Sequence, residues 1–495
     1  MEKSQQPSSF SKVACIGSGI SAIAVGATLK RWYGITDVCF FERHNHLGGT
    51  WFINQYPGIY SFHPNSTGPK TLASQRQLWG YLNDVAEEYD LTSKIRFKST
   101  VKRCEWVESI RRWRIHVLNG VTGDVFVHEC QFLFSGTGQL TEPRKPDKPG
   151  IETFKGTVIY ACRWKQDADL RNKNVVVVGN GCTATQIVPA ISPQAKHLTQ
   201  FVRSKHWVLP PLTIPFLPLF TFLSRWIPGF LVLFRFLVFL LTENNVRGLY
   251  DTESAALYRE RRRKQAESYM RKTAPEEYHD ILIPDFEFGC KRRIFDSGYL
   301  DALNYTNVSL TNNPIVEFVP EGVRTEQGIT KADVIVLANG YSTNNYLPGV
   351  EVIGRGGQTA EEHWQKMGGP GAYNTTLLSG FPNFFMVLGP NTLSGHTSAF
   401  MAVENSVNYS LRVMEPVLKG VADAVDVKHD AELDYVDDMQ KASKRTVFMS
   451  GGCSTWYTQT KDGEKPRNAM VYPYSQAWFW YQCLFPHYKD LDYLN

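Results

Sequence analysis

The feature that most constrains this chain is a glycine-punctuated turn that occurs twice. Lys12-Val-Ala-Cys-Ile16 is a short apolar run, as in a buried parallel strand. Gly17-Ser18-Gly19-Ile20-Ser21-Ala22 follows, and Ile20 to Trp32 carries apolar residues at helical spacing. Asp37-Val-Cys-Phe-Phe-Glu42 then reads as a second strand ending in an acid. Strand, glycine turn, helix, strand and acid in this order predict a Rossmann dinucleotide-binding unit. Gly17 allows the tight turn, Gly19 lets a pyrophosphate approach the backbone, and Ala22 keeps the helix close to the sheet. The helix N-terminus offers amide donors and a positive dipole end to phosphates. Glu42 lies 20 residues past Ala22, where a carboxylate can accept hydrogen bonds from ribose hydroxyls.

The pattern recurs. Asn174-Val-Val-Val-Val178 is a strand, Gly179-Asn180-Gly181-Cys182-Thr183-Ala184 is the second turn, and a helix runs on through Ile187 and Ile191. The next strand, His197 to Val202, ends in Arg203-Ser204-Lys205 rather than in an acid. Arg203 stands 19 residues past Ala184. A carboxylate there would repel a 2′-phosphate, whereas a guanidinium can grip it with two hydrogen bonds. The first site therefore suits FAD or NAD and the second NADPH. The alternative for Arg203 is a solvated surface charge.

Two dinucleotide sites in one α/β chain predict a flavin-dependent oxidoreductase that takes hydride from NADPH. A disulfide reductase would need a close cysteine pair beside the flavin. The nine cysteines (15, 39, 104, 130, 162, 182, 290, 453 and 483) are scattered, with no C-x-x-C. That spacing predicts reduced thiols, no Cys-ligated metal and a cytoplasmic setting. The polar N-terminus, MEKSQQPSSFSK, lacks the apolar core of a signal peptide. Lys+Arg exceeds Asp+Glu by 53 − 48 = 5, and no basic block stands out beyond Arg259 to Lys264, so a nucleic-acid partner is not expected.

Leu47-Gly48-Gly49-Thr50-Trp51-Phe-Ile-Asn-Gln-Tyr56-Pro57-Gly58 resembles the G-G-x-W-x4-Y-P-G signature of class B flavin monooxygenases, especially the Baeyer–Villiger monooxygenases. The resemblance continues through Ser135 to Leu140, Cys290-Lys291-Arg292-Arg293, Asp333 to Gly340, Gly389-Pro390-Asn391-Thr392 with Gly395-His396, and Cys453 to Tyr457. It implies two Rossmann-like domains with a helical insert. The FAD domain would be split into 1–150 and 331–495. The NADPH domain would comprise 151–207 and 289–330, around an apolar insert at 208–288. It further implies that Gly17, Gly19, Ala22, Glu42, Thr50, Trp51 and Tyr60 hold FAD, with Val101 near the adenine. Gly179, Gly181, Thr183, Gln186, Arg203 and Ser204 would hold NADPH, supported by Lys291. Arg292 would be the catalytic arginine, with Arg293 the neighbour that could be mistaken for it. A fixed guanidinium can stabilise the oxygen anion that attacks a ketone, and the tetrahedral adduct that follows.

Two signature positions depart from the resemblance. The family has an acid a few residues after Y-P-G, but Tyr60-Ser61-Phe62-His63-Pro64-Asn65 contains none. Counted straight, Phe62 takes that position; read as a short deletion, Tyr60 becomes the flavin-side tyrosine. In the F-x-G-x3-H-x3-W-[PD] fingerprint, Phe154, Gly156 and Trp164 are kept, while Tyr160 replaces the histidine and Lys165 the last residue. The changes leave three meanings open: ketone oxygenation in a rearranged site, other chemistry (heteroatom oxidation, hydroxylation or epoxidation), or loss of activity.

The implied function is oxygenation of a bulky hydrophobic carbonyl compound by O2, in secondary metabolism. The competing readings are an NADPH oxidase or flavin reductase without an organic acceptor, and a non-catalytic, membrane-associated relative. Residues 207–241 bear on the last. Phe220 to Leu241 spans 22 residues, but Arg225 and Arg235 interrupt it and Pro228-Gly229 breaks the helix. The expected form is a buried helix pair roofing the substrate cleft. A shallow membrane-contacting hairpin and a spanning helix are the alternatives. Beyond it, Glu253 to Lys272 reads as a charged helix ended by Ala274-Pro275, with Arg259 to Lys264 expected at the surface.

Overall fold

The computed structural model describes residues 9–61, 73–165, 167–212, 217–343, 345–459 and 466–495; of Tyr60, Ser61, Leu217 and Gln459 only the backbone is described. Two sheets organise the chain. The eight-stranded sheet runs Glu351–Ile353, Ser99–Val107, Arg112–Asn119, Val125–Ser135, Ser9–Ile16, Val38–Phe41, Ile95–Arg96, with Phe384–Met386 also pairing with Val125–Ser135. Ile16 lies opposite Phe41 on one side and Ser135 on the other, in parallel. Gly17, Glu42 and Gly136 therefore leave the sheet at the same carboxyl edge, where open α/β sheets bind ligands.

The second sheet is wholly parallel: Val308–Thr311, His197–Phe201, Asn174–Val178, Val334–Leu337, Thr157–Tyr160. Val334–Leu337 is buried at all four residues and lies between Asn174–Val178 and Thr157–Tyr160. The expected boundary at 330/331 is thus too early. An apolar strand with no polar face needs a partner on each side, so the second body extends at least to Leu337.

The Ile20–Tyr33 and Ala399–Leu418 helices close the first sheet on one face. Val403, Val407 and Leu411, at four-residue spacing, enter its core beside Val25 and Leu29. Each such side chain contributes roughly 1.5–3 kcal/mol by leaving water. Residues from both ends of the sequence therefore build one core.

The insert is tied at its base by Val208–Leu209 pairing with Ile294–Phe295. It contains the helices Leu217–Trp226, Phe230–Glu243 and Glu253–Thr273. The break at Pro228-Gly229 and the stop at Ala274 fall where the sequence places them. No helix among the described residues is long and apolar enough to cross a membrane.

Three expectations change. Arg259 is buried, not exposed: its guanidinium pairs with Glu287 at 2.9 Å and donates to the Gly248 and Tyr250 carbonyls. A guanidinium is tolerated at this buried place because a carboxylate and two carbonyls accept its hydrogens. The apolar pair roofs the cleft but is not buried, because the Phe230–Glu243 helix has no buried residue. The thiols are not all reduced: Cys290 and Cys453, 163 residues apart, form a disulfide. Folding brings the two loops together, which spacing alone could not reveal.

Candidate active-site cleft

A single cleft of about 3330 Å³ is walled by both glycine turns, by Lys291 to Arg293, and by one face of the insert helices. At the first turn Gly17 has φ 101°, and a Cβ there would sit 2.7 Å from the Gly136 carbonyl oxygen. Only glycine fits, as the turn requires. Gly19 precedes the Ile20–Tyr33 helix without any side-chain cap, so the first amides point free into the cleft. Ala22 is buried against the sheet. Gly48 N donates to the Ser18 carbonyl at 3.0 Å, which brings Thr50 and Trp51 onto the same wall.

Glu42 is 4% exposed. One carboxylate oxygen accepts from Ser18 N (3.0 Å) and Ser18 Oγ (2.8 Å), and the other from His44 N (2.9 Å). The side chain is therefore held rigidly at the strand end, and its remaining lone pairs can meet ribose hydroxyls. Val101 is buried and lines the same wall. Tyr60 lies in the Tyr60–Ser61 strand, which pairs with Ala73–Ser74. Its side chain and residues 62–72, where the family acid is expected, lie outside the described residues.

The second turn repeats the design. Gly179 has φ 128°, with a Cβ position 2.4 Å from the Ala338 carbonyl oxygen, whereas nothing lies within 4 Å of a Cβ built at Gly181. That open space, above another uncapped helix N-terminus, is the cradle a pyrophosphate needs. Thr183 and Gln186 stand on the cleft side of this helix. Gln186 also accepts a hydrogen bond from Tyr56 at 3.0 Å, which couples the Y-P-G segment to the second body.

Arg203 and Ser204 leave the adjacent strand into the cleft. Arg203 is paired with Asp147 at 2.6 Å, its side chain 78% exposed. A pair this exposed contributes at most about 1 kcal/mol, so a phosphate dianion can displace the carboxylate. Burial disfavours a charged Asp147, but Arg203 and Arg144 more than offset it and hold its carboxyl below the usual range. Lys291 comes from the other side. Burial and the nearby Arg203 charge lower its ammonium pKa, and Nζ reaches the Lys205 carbonyl at 3.5 Å. Two cations facing one space fit a 2′-phosphate. Burial, then Lys291, also push His206 down to about 4, so it is neutral here.

The two neighbouring arginines separate clearly. Arg293 is committed: it donates to Asn245 Oδ1 at 2.9 Å and lies over the Phe288 ring. Arg292 is exposed to the cleft and has no ion pair among the described residues. Its charge reaches buried Tyr457. Burial pushes that phenol up to about 12, with Arg292 and Arg293 opposing the rise.

A further pair went unread in the sequence. His396 Nε2 lies 3.0 Å from Glu243 Oε2, and Glu243 Oε1 accepts from Ala477 N at 2.9 Å. The pair latches the insert to the loop that carries Gly395. Its sequence signal was available: Glu243 is the first acid after a run from Trp207 to Thr242 that has none. Tyr160 ends its strand beside Leu337 and is partly buried.

A family model described as flavin-binding monooxygenase-like matches residues 58–278, and one described as an NAD(P)-binding Rossmann-like domain matches residues 15–85. A Baeyer-Villiger monooxygenase of Streptomyces coelicolor is 33% identical over 492 residues, covering 97% of this chain and 92% of the relative. A protein named FAD-binding monooxygenase ktnD, from Aspergillus niger, is 30% identical, covering 91% of this chain and 77% of the relative. Among solved structures, cyclohexanone monooxygenase from Rhodococcus sp. Phi1 bound to NADP+ superposes with a TM-score of 0.83 at 22% identity, covering 99% of this chain and 100% of that one.

Proposed function

Because the chain belongs to the class B flavin monooxygenase family, close to the Baeyer–Villiger monooxygenases, we propose that it inserts one oxygen atom of O2 into a bulky hydrophobic ketone to give an ester or lactone. The family makes it an FAD- and NADPH-dependent oxidoreductase. When bound, these cofactors supply the hydride and the O2-reactive centre. In this reading the first body, residues up to 150 with those after Leu337, takes FAD at Gly17, Gly19, Glu42, Thr50, Trp51 and Val101. The second body takes NADPH at Gly181, Thr183, Gln186, Arg203, Ser204 and Lys291. The role is one in secondary metabolism.

The observation that carries the reading is the shared cleft: both turns and Arg292, which has no ion pair among the described residues, open onto one space. A guanidinium there stabilises negative charge on an attacking oxygen and on the tetrahedral adduct formed at a carbonyl. The apolar inner face of the insert, with Phe220, Phe234 and Phe239, suits a hydrophobic substrate.

The test is the ratio of oxygenated product to NADPH consumed, measured on purified protein with a panel of cyclic ketones. Arg292→Ala should leave the anaerobic reduction rate by NADPH within about threefold. It should cut product at least 100-fold, the scale of removing one charge-stabilising donor. Product formation unchanged in this variant would remove Arg292 from the chemistry. Peroxide release matching NADPH with every ketone would instead make the protein an oxidase. A second reading, heteroatom oxidation, draws on Tyr160 in place of the fingerprint histidine. There the electrophilic oxygen meets a sulfur or nitrogen lone pair, and Arg292→Ala should keep thioether oxidation.

A further inference from the structure

We infer that the outer face of the Leu217–Trp226/Phe230–Glu243 hairpin docks on an anionic lipid surface, so that the cleft takes its substrate from the lipid side. The hairpin has two apolar faces with different fates. Its inner face packs on itself, with Phe220 against Phe234 at 4.7 Å, and lines the cleft through Leu231, Phe234, Val238 and Phe239. Its outer face has no protein cover among the described residues. Phe222, Trp226, Val232, Leu233, Leu237 and Leu240 are all exposed, Trp226 at 64% and Val232 at 72%, and none of them lines the cleft. A helix apolar all round is normally buried, so this face calls for an apolar partner.

Three observations select lipid. The first is charge: between Trp207 and Thr242 the ionisable groups are Arg225 and Arg235, with no acid. Arg225 lies beside Trp226 at the hairpin tip, its guanidinium 5.7 Å from the ring. A tryptophan and an arginine at the tip are the side chains that settle among headgroups. Arg235 stays on the cleft side, near Glu404, whose carboxyl pKa burial raises and the Arg235 charge only partly brings back. The second is continuity. Glu243 joins the hairpin to the start of the Gln476–Leu484 helix, where Trp478, Trp480 and Tyr481 are also exposed. Trp480 lines the cleft together with Phe236 and Leu241 of the hairpin. Apolar side chains of both elements therefore stand at the rim of the cleft. The third is length: the helices have 10 and 14 residues, which suits lying in an interface rather than crossing it. A second copy of this chain is the less suitable occupant. A two-fold contact through the same face would bring the two Arg225 tips into one apolar interface.

The docking itself does not depend on the proposed reaction, whereas the delivery of substrate does. The experiment separates them. Purified full-length protein loaded with FAD is sedimented with vesicles of phosphatidylcholine alone or mixed with phosphatidylglycerol. Binding should be about tenfold tighter to the mixed vesicles and should weaken with salt. The triple variant Trp226→Ser/Val232→Ser/Leu240→Ser should lose binding by more than about tenfold. Arg225→Glu, a single surface change, should lose it on mixed vesicles only. Both variants should keep the wild-type rate of NADPH oxidation with a water-soluble ketone, and should fall behind with a long-chain ketone dissolved in the vesicles. The docking is overturned if the wild type stays in the supernatant with mixed vesicles, or if the triple variant sediments like the wild type. A concentration-dependent dimer that the triple variant abolishes would also overturn it, by assigning the face to a second copy. Equal rates for variant and wild type on the vesicle-dissolved ketone, with binding lost, would overturn the delivery step alone.

Discussion

Glu42 and Arg203 occupy equivalent places in two copies of one local design, and under the proposed function their opposite charges assign the two nucleotides. Glu42 is locked by Ser18 and His44, so it acts as a fixed acceptor. Arg203 is held by one exposed carboxylate and is free to change partners. Arg203→Ala should raise the KM for NADPH by about 10- to 100-fold, the worth of a charge-assisted hydrogen-bond pair of about 1.5–3 kcal/mol. The KM for NADH should move less than about threefold. Equal losses for both coenzymes would refute the 2′-phosphate role. Asp147→Asn, which removes the competing carboxylate, should lower the NADPH KM. Steady-state kinetics with both coenzymes checks each variant. The residue types at 42 and 203 were legible because spacing from a glycine turn fixes where a side chain emerges. Which of Arg292 and Arg293 is held by a partner was not, since adjacent residues in an irregular segment have no periodicity to separate them. Asn245, 48 residues away, decides it by claiming Arg293.

At the scale of elements, the strand–turn–helix units appear where the sequence predicts them, because hydrogen bonds and φ preferences a few residues apart determine them. The Asn174–Val178 strand and the Cys182–Ile191 helix are examples. Elements stabilised by distant partners were less legible. The four-residue strand Ala424–Val427 has no strong local signal and exists by pairing with Leu491–Leu494. It carries Asp426, whose carboxylate accepts from Gly380 N and Val427 N. Burial raises the Asp426 pKa to about 7, the backbone bonds only partly offsetting it. A carboxyl raised on folding contributes stability that is fully present below its unfolded pKa and is lost as pH rises through the folded value. Stability should therefore fall between about pH 4 and pH 7, by a total on the order of 4 kcal/mol. Asp426→Asn keeps an acceptor and has no proton to lose. It should flatten this part of the pH profile and unfold at higher urea than the parent at pH 8. Urea titrations across that pH range measure it, and an unchanged profile would clear Asp426 of the effect. The roofing hairpin is the opposite case. Its helices and their break were legible, but its burial was not, because an apolar pattern states what a face avoids and not what covers it.

At the scale of the molecule, the chain crosses between two bodies and returns, so both ends of the sequence build the first sheet's core. The Cys290–Cys453 bond ties the loop that carries Arg292 to the loop before Tyr457. A cross-link enclosing 163 residues should stabilise the fold by about 5 kcal/mol in the chain-entropy account. Reductant should therefore lower the thermal midpoint by several degrees, and Cys453→Ser should lower it equally and abolish the response. Calorimetry with and without reductant, alongside non-reducing peptide mapping, decides this. A midpoint indifferent to reductant, with both cysteines found free, would remove the bond.

The sequence by itself determined the two glycine turns, the acid and the arginine that follow them, the family and the helix breaks, because each depends on residues within a few tens of positions and on local stereochemistry. Only the tertiary structure decided that both turns open onto one cleft, that Asn245 holds Arg293 rather than Arg292, that the second sheet extends past 330, that Cys290 meets Cys453, and that the outer face of the hairpin is bare among the described residues. Those facts rest on contacts between segments far apart in the chain. Which of the apolar segments finds a partner there is settled by the geometry of the whole fold and not by any one segment's pattern.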